Sequence, residues 1–240
     1  MPSLFPSMEL QAEYDQFLTA LKTNNPNYQP LIPIASGSIK FDSAVVSGGT
    51  ITPPTQIISQ VICPSCLQKP NNEGWKTNNV GWGKANYVGI AGNDDLSRNW
   101  GTTGALPYSQ PFTGIFYPNS RISLRKITDG TTATLMLGEV YGEEPTSDAT
   151  KPIASNWCGV THGSWINGVL RSTLNSPKFW INVSVVAQSS SRWNAIRSRH
   201  SGGANFCLAD ASVVFLSDRI DTAVYDDLST IAGAENGRIP

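Results

Sequence analysis

The stretch that most constrains the fold is residues 198–221, SRHSGGANFCLADASVVFLSDRID. A histidine is followed by a glycine pair, a strand-like run, an Asp-Ala corner and a second strand-like run. Paired glycines allow the positive φ of a bend, and aspartate favours turns because its carboxylate accepts hydrogen bonds from nearby backbone amides. The pattern predicts a β-hairpin over residues 200–217, with the histidine and aspartate near opposite ends of its first strand. The residues that define it are His200, Gly202, Gly203 and Asp210.

Four further segments precede this hairpin along the chain. They are Cys63-Pro64-Ser65, Ala85-Asn86-Tyr87-Val88-Gly89, Gly114-Ile115-Phe116, and Ile127-Thr128-Asp129-Gly130-Thr131 leading to Gly138-Glu139. In this order, and with the His-x9-Asp spacing, the segments resemble the DUF1559 family, prepilin-like proteins with an H-X9-DG domain from planctomycete-type bacteria. The resemblance spans most of residues 4–236.

The resemblance implies an architecture for residues 1–240 as one pilin-like head domain. Residues 1–30 would be a helix and linker that follow an N-terminal stalk, and residues 31–240 would be the β-rich DUF1559-like part. Family members usually begin with a basic leader and a long apolar helix, which are not seen before Met1. We expect that the chain was trimmed or that its start was assigned late. The resemblance places the native protein outside the cytoplasm, in the cell envelope or on the surface, with membrane contact only through the stalk.

One residue of the hairpin departs from the family pattern. Ala211 stands where the family usually has glycine. Either the corner does not need a positive φ here, or it tolerates the cost of a Cβ in that conformation. The sequence leaves both alternatives open.

Residue periodicity predicts an α+β fold, with an amphipathic N-terminal helix followed by a mainly antiparallel β-sheet with long loops. Apolar residues recur at helical spacing near the start, at Leu10, Tyr14, Phe17, Leu18 and Leu21. Short runs rich in β-branched and aromatic residues follow, and 21 glycines and 16 prolines indicate many turns between them.

Charge and hydropathy exclude several functional classes. The net charge of −1 offers no basic surface for nucleic acid or anionic lipid. No apolar run approaches the roughly 20 residues that span a bilayer, so this chain as written is predicted to be soluble. The sequence also contains no G-x-S-x-G, H-E-x-x-H or P-loop motif. We therefore expect neither an enzyme nor a cofactor.

The cysteines allow more than one interpretation. A zinc site would need a second Cys or His pair beside Cys63 and Cys66, whereas Cys158 and Cys207 are single and distant in sequence. In an exported, loop-rich protein, four cysteines predict disulfides, with three possible pairings. We expect no metal ligand.

His200 and Asp210 have two interpretations. They could form a metal or catalytic pair joined by Glu139, and a metal-dependent hydrolase would require such convergence. Alternatively, His200 bonds backbone groups at the bend and Asp210 caps the corner. We favour the structural interpretation, in which the hairpin and Asp129-Gly130 hold the sheet.

Two functions from different classes follow. The first is a structural or assembly protein that acts through interfaces with other pilin-like subunits or with secretion or pilus machinery. The alternative is an extracytoplasmic carbohydrate-binding module, because tryptophans on loops can stack on polysaccharide. The candidates for glycan contact are Trp75, Trp82 and Trp100.

Overall fold

The computed structural model of the chain describes residues 11, 12, 15, 19, 56–66, 69–77, 80–93, 113–116, 122–142, 155–156, 170–171, 180–183 and 195–233. Within the predicted N-terminal helix, Gln11, Ala12, Asp15 and Thr19 are helical and exposed. Gln11 donates a hydrogen bond to Asp15 one turn later. The predicted apolar stripe of this helix lies outside the described residues.

Eight short strands make up most of the regular structure in the described residues. They are β1 (Asn71–Thr77), β2 (Val80–Ala85), β3 (Tyr87–Ile90), β4 (Leu135–Glu139), β5 (Ser155–Asn156), β6 (Leu170–Arg171), β7 (Gly203–Leu208) and β8 (Val213–Ser217). Besides the helical residues near the N-terminus, the described part of the chain contains helix α1 (Thr222–Asp227) and two 3-10 turns, Ser59–Val61 and Leu124–Lys126.

The larger sheet has the strand order β6-β3-β4-β7-β8. Strands β3, β4, β7 and β8 pair antiparallel, and β6 adds a parallel edge beside β3. A smaller antiparallel sheet has the order β1-β2-β5. The prediction of a β-rich, mainly antiparallel fold is therefore confirmed for the described residues.

The β7–β8 hairpin follows the alternation of a strand pair that is buried on one face. Ala204, Phe206 and Leu208 are buried, whereas the intervening Asn205 and Cys207 lie on the opposite face. Because Asn205 pairs with Phe215 and Cys207 with Val213, this opposite face also carries the exposed side chains of β8.

Helix α1 covers the buried face of the hairpin. Asp221 caps its N-terminus by accepting a hydrogen bond from the Ala223 amide at 2.8 Å. Tyr225 packs edge-to-face on Phe206 with ring centroids 5.9 Å apart, and Leu228 is fully buried. The main core therefore lies between α1 and the sheet.

The Asp129-Gly130 turn is tied to the segment after α1. Gly130 has a φ of +97°, which favours glycine. Asp129 Oδ2 accepts hydrogen bonds from the Gly233 amide at 2.8 Å and from Thr230 Oγ1 at 3.3 Å. The turn therefore joins the start of the β4 segment to the end of the helical segment.

The structure shows which backbone conformation Ala211 adopts at the hairpin corner, where the family usually has glycine. Ala211 adopts a φ of +71°. Its amide donates to the Leu208 carbonyl, and Asp210 Oδ1 accepts hydrogen bonds from the Ser212 amide and hydroxyl at 2.9 and 2.6 Å. The corner thus keeps the left-handed conformation and tolerates the cost of a Cβ.

Ala211→Gly is expected to raise the free energy of unfolding by about 0.5–1 kcal/mol. The left-handed conformation costs a Cβ-bearing residue about 1–2 kcal/mol, and the greater flexibility of unfolded glycine offsets about 0.4–1 kcal/mol of that relief. Urea unfolding followed by circular dichroism measures the change. Ala223→Gly, at an exposed position of α1, is the matched control and is expected to lose about 1 kcal/mol. A destabilised Ala211→Gly variant would contradict the strain at this corner.

None of the helices in the described residues is both long enough and apolar enough to cross a membrane.

Candidate functional site

Three segments that are distant in sequence meet at the base of the hairpin. They are the turn Cys63–Cys66, the end of β4 at Glu139, and the bend at His200 before β7. Side chains from all three segments line one cleft. The sheet order brings them together, because β4 lies between β3 and β7.

Glu139 is the buried centre of this arrangement, with only 3% of its surface exposed. Gly138 pairs with Phe206, so Glu139 lies beside Asn205 on the neighbouring strand. Glu139 Oε2 accepts hydrogen bonds from the Asn205 amide at 2.7 Å and from Asn205 Nδ2 at 3.1 Å. These two donors hold one carboxylate oxygen and leave the other facing the cleft.

His200 faces the second carboxylate oxygen from the bend. Its Nε2 lies 3.3 Å from Glu139 Oε1, and its side chain is 33% exposed. The His200 amide donates to Ser198 Oγ at 3.0 Å, and Ser198 Oγ donates to the Gly203 carbonyl at 2.6 Å. The bend therefore fixes the histidine backbone, while the imidazole is open to solvent on one side.

Cys63, on the turn Cys63–Cys66, also contacts Glu139 Oε1. Its Sγ lies 3.6 Å from that oxygen. The buried Asn86 side chain positions the turn that carries this cysteine. Asn86 Oδ1 accepts from the Cys63 amide at 3.0 Å, and its Nδ2 donates to the Val140 carbonyl at 2.9 Å. Asn86 Nδ2 also lies 3.7 Å from Cys66 Sγ.

Burial shifts the pKa of two side chains beside the cluster in opposite directions. Burial, with the nearby Cys63 and Glu139, raises the pKa of Tyr87 to about 12. Tyr87 pairs with Glu139 in the β3–β4 ladder. The two arginines that line the cleft have other contacts: Arg197 donates to the Val183 carbonyl, and Arg199 stacks over Tyr141 with its guanidinium carbon 4.5 Å from the ring centroid. Burial lowers the pKa of Arg197 to about 10.

Asp210 does not belong to this site. It lies beyond the far end of β7, and the strand from Gly203 to Leu208 alone spans about 17 Å at roughly 3.3 Å per residue. Its carboxylate bonds to Ser212, which lowers the pKa of Asp210. The structure therefore does not bring His200 and Asp210 together as a metal-dependent hydrolase would require.

The remaining candidate residues of the hairpin and turns have structural surroundings. Gly202 has a φ of +80°, and Gly203 lies so close to the Leu216 carbonyl that a Cβ would overlap it. Asp129 and Gly130 form their separate turn near Gly233. These four residues therefore shape the backbone and lie outside the cluster around Glu139.

No disulfide joins any two of the three described cysteines, Cys63, Cys66 and Cys207. Burial raises the pKa of the Cys207 thiol, and Asp210 contributes further. Cys158 and Trp100 lie outside the described residues, as do the side chains of Trp75 and Trp82. The disulfide and glycan-contact predictions that involve them stay predictions.

Sequence reasoning considered Glu139 beside His200 but missed Cys63 as the third member of the cluster. A signal for it was present, because Cys63, Glu139 and His200 each belong to a segment that carries the family resemblance. Asn205 lies in the same hairpin segment as His200, but no residue pattern in that segment marks it as the side chain that holds the carboxylate. Its role follows only from the pairing of β4 with β7.

The described structure defines a β-rich protein whose larger sheet contains the predicted hairpin, with a Cys-Glu-His cluster around the buried Glu139 at the hairpin base. The family comparison agrees with the resemblance of the five sequence segments. The chain belongs to the DUF1559 family, whose profile, described as "Protein of unknown function (DUF1559)", matches residues 2–223. No curated protein and no solved structure matches the chain.

Proposed function

We propose that this chain is the head of a pilin-like or pseudopilin-like subunit, a structural protein of the cell envelope that acts through protein-protein interfaces. The observation that carries the proposal is the exposed apolar surface of β8. Val213 and Phe215 are 69% and 50% exposed, and they lie on the same face of the strand because they are two residues apart. Within the described sheet, β8 is an edge strand.

An edge strand with neighbouring apolar side chains is suited to contact another protein, since such surfaces are costly to leave in water. The occupant we propose is a neighbouring subunit of the same assembly. The interior of the head supports this role. Its family-signature residues link separate segments, as Asp129 does at Gly233 and Asn86 does at the Cys63 turn. A head held together in this way would present β8 on a rigid surface.

The DUF1559 resemblance implies an apolar helix upstream of residues 3–17, which would anchor the native protein in the membrane before assembly. N-terminal sequencing of the mature protein from the native cell envelope tests this part of the proposal. We expect an apolar, phenylalanine-led sequence that continues into Ser3. A mature protein that begins at Met1 would exclude assembly through a stalk, and a glycan-binding screen would then test the carbohydrate-binding alternative.

The double variant Val213→Ser/Phe215→Ser is expected to reduce crosslinked oligomers in the native envelope at least several-fold, because it removes the apolar contact of β8. Chemical crosslinking followed by immunoblotting measures the oligomers. Leu124→Ser is the matched control, since Leu124 is 66% exposed on a 3-10 turn. Unchanged oligomers in the double variant, or an equal loss in the control, would contradict an interface at β8.

A further inference from the structure

We propose that Cys63, Glu139 and His200 bind a single zinc ion at the base of the hairpin. Their ligand atoms, one thiol sulfur, one carboxylate oxygen and one imidazole nitrogen, all lie within 4.8 Å of one another. This inference goes beyond the assembly role proposed above and does not depend on it.

The spacing of these atoms matches tetrahedral coordination. Bonds of about 2.0–2.3 Å to zinc place neighbouring ligand atoms about 3.3–3.8 Å apart. Glu139 Oε1 lies 3.3 Å from His200 Nε2 and 3.6 Å from Cys63 Sγ. Two of the three edges of the ligand triangle therefore already have the length that a bound zinc ion requires.

Surrounding hydrogen bonds hold the ligands in this arrangement. Asn205 donates twice to Glu139 Oε2, which leaves Oε1 directed at the cluster. Asn86 accepts from the Cys63 amide, and Ser198 accepts from the His200 amide. Outer partners of this kind fix ligand orientation and strengthen metal binding.

The chemistry of the three ligands selects the metal. Magnesium and calcium prefer oxygen-only sites, whereas a thiolate with an imidazole favours zinc and similar transition metals. Binding needs a deprotonated Cys63 and a neutral His200, so a bound zinc ion would offset the charges of the thiolate and the carboxylate.

The arrangement leaves a fourth coordination position on the side of the cleft, where His200 is partly exposed. We assign this position to water. Cys66 lines the same cleft, but its sulfur lies beside Asn86 Nδ2. Since the three ligands come from segments far apart in sequence, the ion would crosslink the Cys63 turn, β4 and the hairpin and stabilise the folded head.

The test uses the full chain, stripped with a chelator and titrated with zinc chloride under reducing conditions. We expect one zinc per chain by mass spectrometry of the metal content. A zinc concentration of about 100 times Kd is expected to raise Tm by about 5–10 °C. Cobalt(II) as a second probe should give the thiolate charge-transfer absorption of a tetrahedral site. A protein that binds fewer than about 0.1 zinc ions per chain and shows no Tm shift would overturn the proposal.

Ligand variants test the assignment. Cys63→Ser and His200→Gln should each weaken zinc affinity at least about 100-fold, and Cys63→Ser should abolish the cobalt-thiolate absorption. His200→Gln is the safer variant for folding because the side chain is partly exposed. Cys207→Ser is the matched control, since Cys207 is a free thiol outside the cluster. Retained affinity in either ligand variant would overturn the site, as would zinc binding that requires Cys66 but not His200.

Discussion

Replacing Gly203 by alanine is expected to disrupt the hairpin and lower the free energy of unfolding by about 3 kcal/mol. Gly203 begins β7 and pairs with Ser217, and a Cβ at this position would overlap the Leu216 carbonyl oxygen. The clash is with backbone, so side-chain rotation cannot relieve it. β7 would have to separate from β8, which would also displace the bend that carries His200.

The neighbouring glycine is the matched control for this prediction. Gly202 has a φ of +80°, but a Cβ there would meet nothing within 4 Å. Gly202→Ala is therefore expected to cost only about 0.5–1 kcal/mol, which is the strain of a left-handed alanine, about 1–2 kcal/mol, less about 0.4–1 kcal/mol from the smaller conformational entropy of the unfolded chain. Urea unfolding of both variants separates the two causes. If both variants lost the same free energy of unfolding, backbone strain at the bend, and not the close approach to β8, would explain why glycine is needed at Gly203.

Glu139→Ala is expected to lower the free energy of unfolding of the metal-free protein by about 3 kcal/mol. The change removes the buried acceptor of two hydrogen bonds and leaves the Asn205 amide without its partner in a partly buried position. An unsatisfied buried donor costs about 1–3 kcal/mol, and hydrogen bonds to a charged group add about 1.5–3 kcal/mol. Thermal or urea unfolding in the presence of a chelator measures this loss without any contribution from zinc.

Glu139→Gln separates the role of this side chain as a hydrogen-bond acceptor for Asn205 from its role as a zinc ligand. The amide oxygen of glutamine can still accept from Asn205, so we expect a loss of about 1 kcal/mol, while zinc binding should fall as in the other ligand variants. A glutamine variant as unstable as the alanine variant would show that the carboxylate charge, and not the Asn205 hydrogen bonds, stabilises the metal-free fold.

The hairpin could be predicted because its information is local. Glycines, the Asp-Ala corner and alternating burial all lie between His200 and Ser217. The turn at Asp129-Gly130 is similarly local, although its contact with Gly233 is not. Turn chemistry specifies a bend wherever it occurs, without reference to the rest of the chain.

The sequence suggested Glu139 beside His200, but the complete cluster with Cys63 could not be derived from residue spacing because it depends on strand order. Nothing near Cys63 indicates that β4 lies beside β3 on one side and β7 on the other. From the sequence, His200 and Asp210 can be considered as a pair joined by Glu139 but are assigned structural roles at opposite ends of a strand, and the structure places β7 between them. Glu139 and His200 are close because the Asn205 amide on β7 donates a hydrogen bond to Glu139, which places the end of β4 beside the start of the hairpin.

The sheet order also sets an expected sequence of folding events. β7 and β8 are joined by residues 209–212 alone, whereas residues 91–134 separate β3 from β4 and residues 140–202 separate β4 from β7. Closing long loops costs entropy before contacts form, so the hairpin is expected to nucleate the sheet. Core substitutions in β7 should therefore slow refolding, whereas those in β3 should mainly accelerate unfolding.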